Sequence, residues 1–149
     1  MLDGMVMVEI RPLRTDHSER KAGDAVNALA QAEGWPSFTE PALLRRLIDA
    51  PGTLSLIAIV STAPDPGVVG FAHALTNGHH AYLSVIVVDT PWRGRGVGRQ
   101  LITSLFHISG VERLDLLSGP ESAAFYARLP NHQMTGYRLY PHRRSTGTE

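Results

Sequence analysis

Cysteine is absent from the 149 residues of the chain. Its absence excludes a thiol nucleophile, a disulfide framework and a cysteine-ligated zinc site. Lysine is nearly absent as well, since Lys21 is the one example and arginine carries the remaining positive charge. The formal net charge is zero, so the composition favours neither nucleic acid nor an anionic membrane surface as a partner.

Long hydrophobic runs are also lacking. No apolar stretch approaches the ~20 residues that a membrane-spanning helix requires. The N-terminus shows no charged segment followed by an apolar one, so we expect no secretory signal, no membrane contact and a cytoplasmic protein. The length predicts one domain over residues 1–149. The true start stays open among Met1, Met5 and Met7.

The most informative stretch covers residues 83–106. Its apolar residues 83–88 predict a buried strand, which is followed by a turn through Pro91 and by a glycine-rich loop. A helix is predicted from about residue 97 to residue 108. The residues predicted to face inward from this helix are Val97, Leu101, Leu105 and Ile108.

The glycine-rich loop, residues 93–99, has the character of an anion site. Its three glycines remove side chains at the start of a helix, where backbone N–H groups lack internal partners and the helix dipole is positive. Such a helix end binds phosphate or pyrophosphate. Positive charge is added by three arginines, Arg93, Arg95 and Arg99.

Three other interpretations of the loop agree less well with the sequence. A nucleotidase phosphate loop ends in Gly-Lys-Ser/Thr, whereas this loop continues Gly98-Arg99-Gln100. A dinucleotide fingerprint needs a third glycine where Arg99 stands, although Asp115 lies at a suitable offset for a ribose-binding acid. A turn that merely joins strand to helix is disfavoured, because three arginines are not required for that purpose.

The pattern Arg93-x-x-Gly96-x-Gly98, after a strand ending in Val-Val-Asp, resembles the acetyl-CoA loop of the GNAT superfamily of N-acetyltransferases. The family signature is Gln/Arg-x-x-Gly-x-Gly/Ala, and the resemblance extends from about Leu54 onward. It implies that acetyl-CoA is the co-substrate, that no metal is needed, and that the acceptor is a primary amine of a small molecule or peptide. With respect to oligomeric state, the resemblance is compatible with a homodimer.

The resemblance also implies roles for individual residues. Backbone groups of the strand end would pair with the pantetheine arm, and the loop would bind the pyrophosphate. Tyr126 matches the tyrosine of a family Phe-Tyr pair that serves as a general acid, while by itself it is compatible with an ordinary half-buried tyrosine. The expected coenzyme-binding residues are Ile86, Val87, Val88, Arg93, Gly94, Arg95, Gly96, Val97, Gly98 and Arg99.

The acceptor side is less well specified. The stretch between the first two predicted helices contains Trp35 and Phe38, which by themselves indicate a loop held by a buried aromatic ring. The resemblance implies that these residues shape the acceptor pocket. No carboxylate occurs in the central-strand residues 81–84, and His73 is predicted to be a core histidine, so no general base is assigned. A non-catalytic acyl-CoA sensor or regulatory module is therefore the alternative function.

The order of predicted elements indicates an α+β fold. A strand and two helices precede three antiparallel strands, the last two joined by a tight hairpin at Asn77-Gly78. A helix, a strand, a helix opened by a Ser118–Glu121 capping box, and a closing strand over residues 134–140 follow. We therefore predict a GNAT-like mixed, mostly antiparallel central sheet with helices on both faces.

Overall fold

A mixed sheet organises the computed structural model, which describes residues 6–142. Its five strands run from one edge to the other in chain order. Their bounds are β1 Glu9–Pro12, β2 Thr53–Ile59, β3 Val68–Thr76, β4 His80–Val88 and β5 Arg113–Leu116. The α-helices of the described residues are α1 Arg20–Ala32, α2 Pro41–Asp49, α3 Val97–Ser109 and α4 Ala123–Ala127. The chain divides after Leu116 into two compact units, and α4 belongs to the second.

The strand pairing confirms the predicted fold class. Strands β1 to β4 pair antiparallel, and β5 pairs parallel to β4. The hairpin between β3 and β4 turns at Asn77, whose Oδ1 accepts hydrogen bonds from the backbone N–H groups of His79 and His80. Gly78 has a φ of 85°, a conformation that glycine adopts without a steric penalty. The single domain over residues 1–149 stays a prediction.

Helices α1 and α2 cover one face of the sheet. The apolar stripe of α1, formed by Ala22, Val26, Leu29 and Ala30, is buried, with Val26 and Ala30 fully inaccessible. Leu44 is the buried residue of α2. The core on this face is completed by Leu13, Phe38, Ile57, Phe71 and Val87.

Helix α3 covers the opposite face. Val97, Leu101 and Leu105 are buried as predicted, whereas Ile108 is 44% exposed. Ile108 follows Leu101 by seven residues and has the right angular position. Its exposure therefore indicates that the last turn of α3 extends past the covered part of the sheet. At the other end, a Cβ on Gly70 would lie 3.1 Å from Leu101 Cδ1, so glycine allows α3 to approach β3 closely.

A β-bulge in β4 changes which face its side chains occupy. Val85 is opposite His73 and Leu83 is opposite Ala74, so Ser84 is the extra residue. Adjacent residues of β3 point to opposite faces, so Leu83 lies on the α3 face and Val85 on the α1 face. Strict alternation would have placed both on one face.

The second unit departs from the prediction at two points. Ser118 and Glu121 form no capping box, because α4 begins only at Ala123 and its N-cap, Ser122, makes no side-chain cap bond. Ser118 Oγ instead lies 2.9 Å from Ser122 Oγ. The predicted strand over residues 134–140 is not formed, and Leu139 is 87% exposed.

The reason for the missing strand is that a strand needs a neighbouring strand, and none of the five described strands extends its hydrogen-bonded ladder to this segment. The composition of residues 142–149 predicts a polar tail, and all of these residues after His142 lie outside the described part of the chain. Among residues 6–142, no helix has both the length and the apolar composition needed to cross a membrane.

Candidate active site

Strand β4 has an open backbone edge in its second half. Strand β5 pairs with residues 80–83 of β4 and ends there, opposite Leu83. Residues 84–88 are therefore paired with β3 on one side only, among the described strands. We call this opening the fork. Backbone N–H and C=O groups on this side of β4 have no strand partner among the described residues and can hydrogen-bond an extended chain that carries amide groups. The residues predicted to bind the pantetheine arm, Ile86, Val87 and Val88, lie in it.

The glycine-rich loop connects the fork to α3. A 3-10 turn over Thr90–Trp92 follows β4, and Gly94 and Gly96 then adopt left-handed backbone conformations with φ of 73° and 86°. Gly96 is the N-cap of α3, and its carbonyl accepts the first helical bond from Gln100 N at 3.0 Å. The N–H groups in the first turn have no acceptor within the helix. They form a positive helix end with little side-chain cover, which fits a diphosphate.

The loop arginines have different surroundings. The Arg93 guanidinium forms an ion pair with Glu33, and its Nε donates to the Val88 carbonyl at 2.8 Å. The Arg95 guanidinium lies 5.1 Å from the centre of the Trp92 ring, a cation–π distance. Arg99 lines a shallow cleft with Val8, with Ile10 of β1 and with other residues of α3. Arg93 therefore fixes the position of the loop, whereas Arg95 lies over the partly buried ring of Trp92.

The N-terminal segment holds the loop from the other side. The backbone N–H of Val6 donates to the Arg95 carbonyl at 3.0 Å. Gln100 Nε2 in turn donates to the Val6 carbonyl at 2.8 Å. Both peptide groups of this residue are thus bonded to the loop and to the first turn of α3, which limits how far the loop can move.

The two residues predicted to shape the acceptor pocket differ in burial. Phe38 is 3% exposed, and its ring packs edge-on against Phe71 at a centroid distance of 5.3 Å. Its φ of 67° is unusual for a residue with a side chain, and its carbonyl is held by Asn27 Nδ2 at 2.6 Å. Trp35 is partly buried, with its ring centre 6.4 Å from that of Phe38. Phe38 is therefore part of the core, and Trp35 presents accessible surface.

His73 is a core residue, as the sequence indicated. It is 3% exposed, and its Nδ1 lies 2.6 Å from Ser55 Oγ. Burial lowers the pKa of His73 from 6.5 to about 4, so the ring is neutral at pH 7. The Phe38 ring lies over it, 5.0 Å away. Ser84 at the bulge donates to its backbone carbonyl at 3.1 Å.

Tyr126 lies on α4 of the second unit. Its ring makes a T-shaped contact with Phe125 at 5.0 Å. Burial raises the pKa of Tyr126 above its ordinary value of 10, so the hydroxyl keeps its proton at neutral pH. A protonated phenol of this kind is able to donate a proton to a thiolate.

Two structural features of the site gave no signal in the sequence. Glu33 is paired with Arg93 across 60 positions of the chain, which no local pattern reveals. The bulge at Ser84 is hidden because the residues around it are uniformly apolar. Within residues 6–142, no three His, Asp or Glu side chains are grouped closely enough to hold a metal ion.

Similar folds occur in solved structures of acetyltransferases. An aminoglycoside acetyltransferase from an uncultured soil metagenomic sample, meta-AAC0020, superposes with a TM-score of 0.70 at 18% identity, over 96% of this chain and 100% of that one. AAC(6')-Iy, in complex with the bisubstrate analog CoA-S-monomethyl-acetylneamine, gives 0.69 at 22% identity, over 93% and 99%. A ribosomal-protein-alanine N-acetyltransferase from Brucella melitensis biovar Abortus 2308 gives 0.66 at 19% identity, over 91% and 99%.

Comparison with curated proteins found no match to the sequence. The sequence model of the acetyltransferase (GNAT) domain matches residues 57–129, from β2 to just past α4. This range contains the fork, the glycine-rich loop and Tyr126. The family match and the fold agree with each other: residues 57–129 form an acetyltransferase (GNAT) domain, and solved acetyltransferases share the fold of the chain.

Proposed function

We propose that the protein transfers an acetyl group from acetyl-CoA to a primary amine of a small molecule or peptide. The observation that carries the proposal is the continuity of the fork with the glycine-rich loop. One side of β4 has no described strand partner over residues 84–88, and the chain then continues through the glycine-rich loop into the N-terminus of α3. An amide-bearing arm and a diphosphate are the two chemical features of coenzyme A that such a surface would bind.

In this proposal the first unit holds the coenzyme. Backbone groups of Ile86, Val87 and Val88 pair with the pantetheine arm. N–H groups of the glycine-rich loop, residues 93–99, bind the pyrophosphate, and Arg95 and Arg99 add positive charge. Arg93 acts on the loop itself, through its bonds to Val88 and Glu33. Acetyl-CoA supplies an activated thioester, whose carbonyl carbon is open to attack by an amine nitrogen.

Tyr126 is the proposed general acid. Cleavage of the carbon–sulfur bond leaves a thiolate, which needs a proton as the thiol forms. The raised pKa of Tyr126 supports this role, because the hydroxyl is protonated at the pH at which it would act. Alternatively, the Tyr126 ring only packs against Phe125. Replacing Tyr126 by phenylalanine, which removes only the hydroxyl group, distinguishes the two roles.

The acceptor is proposed from two kinds of observation. Solved structures with this fold are described as acting on aminoglycosides and on a ribosomal protein, so both small and peptidic amines are within the range of the fold. Trp35, at the accessible edge of the loop before α2, is the proposed acceptor contact. A cytoplasmic location and assembly as a homodimer are further parts of the proposal.

One observation favours a non-catalytic acyl-CoA sensor. The β4 residues 81–84 include no carboxylate that could remove a proton from the amine. A sensor would bind acetyl-CoA without releasing thiol in the presence of any amine.

The deciding experiment incubates the full chain with acetyl-CoA and a panel of amines while free thiol is measured. The panel should include an aminoglycoside, a diamine, an aryl-ethylamine and a peptide with a free N-terminus. Amine-dependent thiol release, with an acetylated product seen by mass spectrometry, is the expected result. Tight acetyl-CoA binding without thiol release across the panel would instead establish the sensor.

A further inference from the structure

A row of four side chains crosses the sheet next to the fork. Thr53 is opposite Leu75, Leu75 is opposite Tyr82, and Tyr82 is opposite Asp115. Residues in direct register on neighbouring strands point to the same face of a sheet. The cross-sheet row therefore places an aliphatic side chain, an aromatic ring and a carboxylate side by side, with neighbouring strands about 4.8 Å apart.

The row lies on the α1 face of the sheet, in a part of that face that helices α1 and α2 do not cover. Leu75 follows His73 by two residues and shares its face, yet Leu75 is 48% exposed where His73 is 3% exposed. Tyr82 is partly exposed and Asp115 is exposed. A shallow hollow is present at this point, and its walls are formed by Gly52, Leu75, Thr76, Asn77, His80 and Tyr82.

The charges around the hollow are unevenly placed. Asp115 forms no ion pair with any described residue of the first unit. Arg113 and His80 are in register with each other and share its face, one step farther from the fork. Asp115 is the last charged residue of β5, since Leu116, the next residue, is already the end of the strand.

We propose that the cross-sheet row binds the acceptor as a cation, with Asp115 holding its ammonium group and with Tyr82 and Leu75, which also line the hollow, contacting its apolar part. The proposal rests on the proposed acetyl transfer and names the substrate class: a primary amine attached to an apolar or aromatic group. An ammonium ion gains from a carboxylate and from the face of an aromatic ring. The open edge of β4 begins at Ser84, about 7 Å along the strand from Tyr82, so a bound amine is within reach of an acyl group there.

The test uses two matched probes on the isotopically labelled full chain in the presence of coenzyme A. Phenethylamine carries the ammonium group, and 2-phenylethanol is its neutral counterpart of similar size. We expect phenethylamine to shift the backbone amide signals of Tyr82 and Asp115 and to bind at least fivefold more tightly than the alcohol. Asp115→Asn should weaken binding of the amine about tenfold and leave binding of the alcohol unchanged.

Glu112→Gln is the control, because it removes an exposed carboxylate three residues before Asp115. It should keep the preference for the amine. The proposal is overturned if Asp115→Asn retains that preference, or if phenethylamine shifts amides only outside the cross-sheet row. Thiol release from acetyl-CoA is measured separately, so an inactive protein that still binds the amine at Asp115 would refute the catalytic function and support the site.

Discussion

Arg93 and Glu33 form an ion pair that joins the glycine-rich loop to the end of α1. Replacing its two members should change acetyl-CoA affinity in opposite directions. Glu33→Gln removes a negative charge beside the anion site and leaves the Arg93 bond to Val88, so binding should tighten by about twofold to fivefold. Arg93→Gln removes both the charge and that bond, so binding should weaken. Calorimetry at two salt concentrations checks this, since the effect of Glu33→Gln should shrink at high salt. Equal weakening by both variants would mean that the pair is only structural.

Gly98→Glu should separate folding from coenzyme binding. Gly98 is in the first turn of α3, where an acidic side chain favours the helix and a non-glycine residue loses less entropy on folding. Thermal stability should therefore be maintained or rise. The same carboxylate repels a pyrophosphate, and acetyl-CoA affinity should fall by about 100-fold, the scale of a like-charge contact of several kcal/mol. Gly98→Gln has the same size without the charge, and an identical loss in both variants would show that charge is not the cause.

Phe38 and Trp35 should respond differently to truncation. Phe38→Ala removes a ring that is 3% exposed, and it should lower the free energy of unfolding by about 3–5 kcal/mol. Trp35→Ala should cost less stability and should raise the acceptor KM, while acetyl-CoA affinity stays nearly unchanged. Denaturant unfolding and steady-state kinetics measure the two effects. If Trp35→Ala weakened both ligands equally, Trp35 would be a structural residue.

Tyr126→Phe removes only the hydroxyl group. If that hydroxyl protonates the leaving thiolate, kcat should fall by about 10²–10⁴-fold while acetyl-CoA binding is retained. The high-pH limb of the pH–rate profile should also be lost, because it reports deprotonation of the acid. A variant that raises KM alone would indicate a positioning role. Turnover near the wild-type rate would show that Tyr126 is not the general acid.

His73 should make the fold sensitive to acid. Its pKa is about 4 in the folded chain against 6.5 when unfolded, so between these values the unfolded state binds more protons and stability falls as the pH is lowered. The full difference corresponds to roughly 3 kcal/mol, present above pH 6.5 and lost by pH 4. Denaturant unfolding from pH 7 to pH 4 measures the slope. His73→Gln should flatten it, and His79→Gln, at an exposed hairpin position, should not.

The elements that could be predicted are those whose signals are local. Periodicity identified α1 and α3, and the Asn77-Gly78 turn identified the hairpin, because each depends on residues close in sequence. The glycine-rich loop was found for the same reason, since its glycines and arginines are adjacent. The prediction of a strand at residues 134–140 was wrong, because strand pairing depends on a neighbouring strand that the segment itself does not specify.

The parts of the site that were missed depend on register. Ala81, Leu83, Val85 and Val87 look like one apolar face, yet the bulge at Ser84 divides them between both faces. The position of Asp115 beside Tyr82 follows from the parallel pairing of β4 and β5, and no sequence pattern predicts the register of that pairing. From the sequence, the offset of Asp115 from the glycine-rich loop indicates only a ribose-binding acid.

The fork has a consequence for how the protein behaves in storage. Residues 84–88 include four consecutive apolar side chains on a strand whose edge is unpaired among the described strands, and such an edge is a template for another chain. A coenzyme lying along it would act as a cap as well as a substrate. Concentrated protein stripped of coenzyme should therefore self-associate, with a light-scattering mass that falls when coenzyme A is added and the edge is covered.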